Sequence, residues 1–188
     1  MSEEIEMILL EASEKMDKAI EVAREDFATI RTGRANATMF NKIVVDYYGT
    51  ATPLNQLASF QVPEARMIII SPYDKGAMAE IEKALRDSDL GVNPNTDGSI
   101  IPVDLPELTH ERRNEYIKMA RSKAEDSRIS IRNIRRHAKE ALDKIQKAGD
   151  AGEDAVRRAE KQLDDVTHTH VEHIDEVLKH KEAELLEV

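Results

Sequence analysis

Hydrophobic residues recur every three or four positions over the first 29 residues, and the charged residues between them are mostly acidic. Such a period places the apolar side chains on one face of a helix. Residues 1–29 are therefore predicted to form an amphipathic helix. Its apolar face consists of Ile5, Leu9, Ala12, Met16, Ala19, Ala23 and Phe27.

The helical period stops at Arg31-Thr32-Gly33-Arg34, and β-branched runs separated by Gly and Pro follow it. Runs of this kind, bounded by turn residues, are typical of short strands. A helical pattern interrupts them once, and a loop rich in turn residues precedes the last run. The predictions are strands at 43–48, 56–62, 67–70 and 99–105, a short helix at 77–86 and a loop at 89–98.

The helical period returns after Thr109, a residue suited to cap a helix. The apolar seam of this third helix repeats every 3.5 residues, as in a coiled coil. Gly149 and Gly152 mark a turn, after which a fourth helix is predicted. The seam consists of Ile117, Ala120, Ala124, Ser127, Ile131, Ile134, Ala138, Ala141 and Ile145. The fourth helix presents Val156, Ala159, Leu163, Val166, His170, Ile174 and Val177.

Three long amphipathic helices, the first separated from the others by a β-rich segment, predict a two-domain α+β protein. Residues 1–30 and 105–188 would form an antiparallel three-helix bundle, and 31–104 an inserted β/α/β domain. The chain would cross between the domains at two neighbouring places. Gly33 and Pro106 mark these crossings as a hinge in an elongated molecule.

Composition and charge narrow the function. The chain has no Cys, which excludes disulfides, thiolate zinc sites and Cys nucleophiles. Its formal net charge is −10, which taken alone disfavours nucleic acid as a partner. The charge is unevenly distributed, however, because residues 111–139 carry ten basic and four acidic side chains. The segment with this net charge of +6 lies on the third helix.

The basic residues of that helix lie on one side of it. At about 100° per residue, five of them fall within a narrow sector beside the apolar seam, and Arg136 lies just outside. We call the five the basic stripe: Arg121, Arg128, Arg132, Arg135 and Lys139. Arginine favours bidentate contacts with phosphate or carboxylate. A stripe that pairs with acidic faces of neighbouring helices is the alternative. Since Glu125, Asp126 and Glu140 fall off the stripe, a polyanion site is favoured.

Other chemistry is weakly supported. His170 and His173 could share a metal ion, but His170 lies on the apolar seam, which favours a packed histidine. No phosphate-binding loop, nucleophile elbow or dinucleotide fingerprint is found. No cofactor or catalytic activity is therefore predicted. The acidic first residues do not fit a signal peptide, and the longest apolar run, Met67–Ile70, is far too short to span a membrane. We expect a cytoplasmic protein.

Ordered motifs lie along nearly the whole chain: Arg31–Ala35, Asp46–Leu54, Gln56–Ser59, Ser88–Asn95, Leu108–Arg113, Arg132–Arg136 and His180–Leu185. Together they resemble those of bacterial ribosome recycling factors. Two positions depart from the family pattern: His110 replaces a usual acidic residue and Pro102 a usual basic one. The resemblance implies an L-shaped protein that binds the large ribosomal subunit after termination.

The resemblance also implies a mechanism. With elongation factor G and GTP hydrolysis, the protein would split the post-termination complex and release ribosomes from messenger RNA, itself catalysing no bond change. Ribosomal RNA would be gripped by Arg31, Arg128, Arg132, Arg135 and Arg136, which the basic stripe extends by Arg121 and Lys139. The hinge would consist of Arg31, Thr32, Gly33, Arg34, Asp104, Leu105 and Pro106.

A hypothesis of a different class is a structural or adaptor protein that dimerises as a coiled coil through residues 109–145. It predicts a stable dimer, whereas the bundle predicts an elongated monomer. An enzyme that uses a metal at His168–His173 is the third and least supported hypothesis.

Overall fold

The computed structural model describes residues 2–187, within which four α-helices and six β-strands form two compact units. Single helical turns at Ala37–Phe40, Leu54–Gln56 and Lys75–Ala77 link some of these elements. The helices are α1 Glu3–Ala28, α2 Met78–Arg86, α3 His110–Lys147 and α4 Glu153–Leu186. The strands are β1 Val44–Tyr47, β2 Thr50–Pro53, β3 Ala58–Glu64, β4 Met67–Pro72, β5 Asn93–Pro94 and β6 Ile101–Asp104.

The first unit holds residues 2–27 and 119–181, and the second holds 28–118 and 182–187. The second unit thus includes the first turns of α3 and the last turn of α4. Contacts therefore divide the chain at other positions than the predicted domain boundaries at 30/31 and 104/105. Those boundaries, the hinge and the L-shape stay predictions.

The first unit is an antiparallel three-helix bundle, as predicted. Asp17 and Arg24 of α1 contact His170 and His173 of α4 in the same order along both helices, so these two helices are parallel. Contacts between α3 and α4 run in opposite order, because Arg128 meets Asp175 and Arg135 meets Asp164. The buried apolar core is contributed by all three helices. It includes Ile5, Ala12, Met16, Ile20, Ala23, Phe27, Ala120, Ala124, Ile131, Ala138, Leu142, Val156, Ala159, Leu163 and Ile174.

The seam of α3 packs against helices of its own chain. Ala120, Ala124 and Ile131 are fully buried within the first unit. A seam that is already buried offers no apolar surface to a second chain. The coiled-coil dimer is therefore not favoured for this part of α3. Towards its end the buried position is Leu142, which the 3.5-residue repeat missed, whereas Ala141 and Ile145 are only half-buried.

The second unit contains a four-stranded antiparallel sheet in the order β3-β4-β6-β5, a two-stranded hairpin β1-β2, and α2. In the register of the central pair, Ile68 faces Val103 and Ile70 faces Ile101. These four side chains are completely buried, which fits the period of two in a half-buried sheet. Together with the bundle, this unit confirms the predicted α+β class.

The strands β2 and β5 were not predicted, because Gly49, Pro53 and the pair Asn93-Pro94 are turn residues. β2 follows directly after Tyr48 and Gly49, both of which have positive φ, 49° and 85°. Two such residues form the tight turn that suits a two-residue hairpin. The strand predicted at 56–62 continues to Glu64, so Pro63 lies within β3, at a register shift between Gln61 and Glu64. Proline is tolerated there because a bulge leaves a ladder position unpaired.

The predicted cap of α3 is confirmed: the Thr109 hydroxyl oxygen accepts a hydrogen bond from the backbone N–H of Arg112, at 3.1 Å. The turn between α3 and α4 contains Gly149 with φ of 77°, a left-handed conformation that favours glycine after a helix. Across residues 2–187, no helix combines the length and apolar character needed to cross a membrane.

Candidate nucleic-acid interface

The basic stripe lies on the 38-residue helix α3, within the first unit. Arg121, Arg132 and Lys139 are exposed, and so is the neighbouring Arg136. Arg128 and Arg135 are half-buried because they lie closer to α4. A long, regular helix holds these side chains at fixed spacings, so they present a row of cationic groups on a rigid support.

Arg128 is the most strongly held member of the stripe. Its guanidinium donates to Asp175 of α4 at 2.8 and 2.6 Å, and to Glu125, one turn earlier on α3, at 3.0 Å. Partial burial lowers the pKa of Arg128, but the hydrogen bonds that it donates to Asp175 and Glu125 outweigh this effect and raise the pKa above its ordinary value. Arg128 is therefore a fixed cation with one orientation.

Arg135 is attached to α4 in the same way. Its Nε donates to a carboxylate oxygen of Asp164 at 2.6 Å. Asp164 and Asp175 are eleven residues apart, about three helical turns, and so lie on one face of α4. This spacing is a signal in the sequence by which both partners of the stripe could have been found. The alternative of pairing with neighbouring helices did not name them, because the face of α4 that meets α3 is set by tertiary packing.

The expectation that acidic groups of α3 leave the stripe unneutralised is wrong. Glu125 contacts both Arg128 at 3.0 Å and Arg132 at 3.7 Å, and Glu140 contacts Arg136 at 3.5 Å. The projection of Cα positions misled because residues three or four apart on a helix are neighbours, and arginine side chains are long enough to reach across. The alternative of pairing with a neighbouring helix is also realised, at Asp164 and Asp175.

These ion pairs do not prevent the stripe from binding phosphate. The Arg132 side chain is 57% exposed and its contact with Glu125 is long. Ion pairs of this kind contribute about 0–1 kcal/mol, because water screens them. Exchanging such a carboxylate for a phosphate therefore costs little, and Arg132 and Arg136 remain available to an anion.

Arg31 is placed differently from the other predicted RNA-binding residues. It lies in the second unit, only 4% exposed, and its guanidinium donates to the backbone carbonyl of Pro106. Burial lowers the pKa of Arg31; Tyr116 raises it, and Arg112 and Arg66 lower it. A side chain so buried cannot reach RNA in this conformation. The geometry favours a structural role, in which Arg31 joins the two segments predicted as a hinge.

The other predicted hinge residues also lie in the second unit. The backbone N–H of Arg34 contacts the Thr32 hydroxyl at 3.4 Å, and the backbone N–H of Leu105 donates to the Arg66 carbonyl at 2.9 Å. Asp104 ends β6. A cavity of about 560 Å³ adjoins Thr32, Gly33 and Arg34. The structure thus brings the two segments together through Arg31 and Pro106, while the hinge motion stays a prediction.

The three histidines between His168 and His173 on α4 each have a protein partner. The ring nitrogens of His170 contact the Val166 carbonyl and the Asp17 carboxylate, both at 2.7 Å. Arg24 contacts Nε2 of His173 at 2.5 Å, and His168 contacts Glu172 at 2.9 Å. Among the residues that the structure describes, no group of three or more His, Asp or Glu side chains could hold a metal ion.

The sequence profile of the family described as Ribosome recycling factor matches residues 23–186. The ribosome-recycling factor of Acidothermus cellulolyticus is 70% identical over 184 residues, which are 98% of this chain and 100% of that protein. That of Kineococcus radiotolerans is 67% identical with the same coverage.

Two solved structures are also similar. A solution structure of a ribosome recycling factor is 37% identical, with a TM-score of 0.78 and complete coverage of both chains. The second describes the T. thermophilus ribosome recycling factor and the E. coli elongation factor G bound to the E. coli post-termination complex. It is 38% identical, covers 97% of this chain and 99% of that chain, and has a TM-score of 0.68. Sequence and fold agree over nearly the whole length, and the chain belongs to the ribosome recycling factor family.

Proposed function

We propose that this protein binds the large ribosomal subunit of the post-termination complex through α3. With elongation factor G and GTP it then splits the subunits and releases the ribosome from messenger RNA, in the cytoplasm. The observation that carries this proposal is the basic stripe on a rigid helix in a chain that matches the family over residues 23–186. A similar chain, 38% identical, is described with elongation factor G on such a complex.

The proposed RNA contacts are Arg121, Arg128, Arg132, Arg135, Arg136 and Lys139. Arg128 and Arg135 are oriented by α4 before RNA arrives, which reduces the entropy lost on binding. Arg132 and Arg136, more exposed, supply the contacts that form on binding. Such contacts bind the phosphate backbone and read no base sequence. The family's pattern adds Arg31, but its burial leaves it the weakest of the set.

We further propose that the chain itself catalyses no bond change and works mechanically. Segments 31–34 and 104–106 would act as the hinge about which the inserted domain turns when elongation factor G pushes on it. Support comes from the contact between Arg31 and the Pro106 carbonyl, which joins the two segments. Two hinge segments that are joined to each other restrict the motion of the inserted domain to rotation about one axis. Two unconnected linkers would restrict it less.

The proposal is tested with purified polysomes, elongation factor G and GTP, with and without this protein. Addition of the protein should convert polysomes to free subunits, and omission of GTP should prevent this. Arg132→Glu should weaken binding to purified large subunits and slow the breakdown. Arg157→Glu on α4 is the matched control, because Arg157 is also exposed and also paired with a glutamate, Glu153.

If Arg132→Glu and Arg157→Glu bound large subunits equally well, the assignment of RNA binding to the stripe would be wrong. If polysomes did not respond to the wild-type protein at all, the function itself would be wrong. Sedimentation equilibrium addresses the remaining alternative, since a stable dimer at low micromolar concentration would favour a coiled-coil adaptor.

A further inference from the structure

A groove runs along the outside of the bundle, between the beginning of α1 and the end of α3. Its wider part has a volume of about 530 Å³ and is lined by Met7, Ile8, Ala141, Ile145 and Ala148, among others. It lies entirely within the first unit. The basic stripe does not line it, so the proposed RNA contacts do not account for it.

The groove continues along the same two helices. A second hollow of about 240 Å³ is lined by Ile8, Ala12, Ile134, Ala138 and Ala141. From Glu4 to Lys15, the α1 residues that line the two hollows span eleven steps, about 16 Å at 1.5 Å per residue. A groove of this length matches about three turns of a bound helix.

On α3, the groove is lined by residues of the predicted seam that are not fully buried in the core of the bundle. Ile134, Ala141 and Ile145 all belong to the 3.5-residue repeat, yet they are only half-buried. The core at this end is filled by Leu142 instead. The end of α3 thus has two apolar faces, one packed in the core and one open. On α1, Met7, which lines the wider part, is 56% exposed.

The charges that line the wider part of the groove are mostly acidic. Glu4 and Glu11 of α1 line this part, whereas Lys15 lines the narrower hollow beside Glu11. Asp150 lies at the end of the wider part and Lys144 on its α3 side. An apolar groove with an acidic rim complements a helix that is apolar on one face and basic on its flanks.

We propose that this groove is a docking site for a basic amphipathic helix of a partner protein. The anchors of that helix, spaced three and four residues apart, would fill the hollows beside Met7 and Ala141. Its Lys or Arg side chains would face Glu4 and Glu11. The site is separate from the stripe, so protein and RNA could be bound at the same time.

The test uses fluorescence anisotropy with the full chain and a labelled helical peptide of ~18 residues built from Leu and Lys in an amphipathic pattern. A Leu/Glu peptide of the same pattern and a Lys/Gln peptide of the same charge are the comparison probes. The variant Ala141→Trp fills the groove. Ala155→Trp is the matched control, since Ala155 is a half-buried residue of α4.

We expect saturable binding of the Leu/Lys peptide, weakened at least tenfold by Ala141→Trp and unchanged by Ala155→Trp. Reversal of the rim, Glu4→Lys with Glu11→Lys, should transfer the preference to the Leu/Glu peptide. Circular dichroism melts confirm that each variant is folded, and Ala148→Trp replaces Ala141→Trp if that variant is not.

Three results would overturn the proposal. The first is equal binding of the Leu/Lys and Lys/Gln peptides, which would indicate charge attraction without a groove. The second is binding that Ala141→Trp and Ala148→Trp leave unchanged. The third is concentration-dependent dimerisation of the wild-type chain that Ala141→Trp abolishes, because a second copy of the chain would then occupy the groove.

Discussion

The sharpest prediction concerns an acidic residue within the proposed RNA-binding surface. Glu125 contacts both Arg128 and Arg132, so it competes with phosphate for two of the proposed RNA contacts. Glu125→Gln removes this competition without shortening the side chain. Arg128 should keep its orientation, because Asp175 still holds it at 2.6 to 2.8 Å. We therefore expect that Glu125→Gln tightens binding to the large subunit.

The size of the expected gain in affinity follows from Coulomb's law. A carboxylate about 7 Å from a phosphate in water repels it by about 0.6 kcal/mol, which corresponds to about a threefold change in affinity. By contrast, loss of one phosphate contact, as in Arg132→Gln, removes a counterion-release contribution of about 1.2 kcal/mol at 0.1 M salt. It should therefore weaken binding about eightfold and make the slope of log K against log salt less negative by about 0.7–0.9.

Filter binding of labelled protein to purified large subunits, at several salt concentrations, measures both effects. Glu153→Gln on α4 is the control for Glu125→Gln, because Glu153 makes a comparable exposed pair with Arg157 at 3.0 Å. The control should leave affinity unchanged. An affinity that is unaltered or lowered by Glu125→Gln would show that the stripe does not bind phosphate where the structure places it.

Three further predictions concern the two units separately. The pKa values of Tyr47 and Tyr48 are raised by hydrogen bonds to the Asp74 carboxylate, so Asp74→Asn should let both phenols ionise at lower pH in an ultraviolet absorbance titration; an unchanged titration would contradict the contact. Leu163→Ala, at a fully buried position of the bundle, should lower the free energy of unfolding by about 2–5 kcal/mol in urea denaturation, and a loss below 1 kcal/mol would mean that the site is loosely packed. Thr109→Ala removes the cap of α3 and should cost about 1 kcal/mol in the same measurement, with no effect expected if α3 frays there.

If the stripe binds RNA as proposed, its carboxylate partners provide a way for the protein to dissociate again. Each arginine that loses a phosphate can return to a carboxylate: Arg128 to Asp175 or Glu125, and Arg135 to Asp164. These carboxylate contacts stabilise the protein after it has left the RNA. In the proposed complex, acidity elsewhere in the chain would confine RNA to this helix, since the whole protein carries a net charge of −10 although residues 111–139 carry +6.

Much of the fold was predictable because the period of the apolar residues along the sequence matches the faces of the helices that are buried. The helical periods predicted α1, α3 and α4, and the Thr109 cap fixed where α3 begins. The strands β2 and β5 were not predictable in this way. Thr50–Pro53 and Asn93–Pro94 read as turns, and they become strands only because β1 and β6 supply hydrogen-bond partners.

The candidate site was also predictable only in part. The sequence determined by itself that α3 carries a row of cations, because spacing on one helix fixes which residues share a face. Only the tertiary structure decided how those cations are paired, that Arg31 is buried, and that Ile134 and Ile145 border a groove. The reason is physical: a residue's own helix sets its direction, whereas its partners and its exposure depend on which other segment lies within a few ångströms.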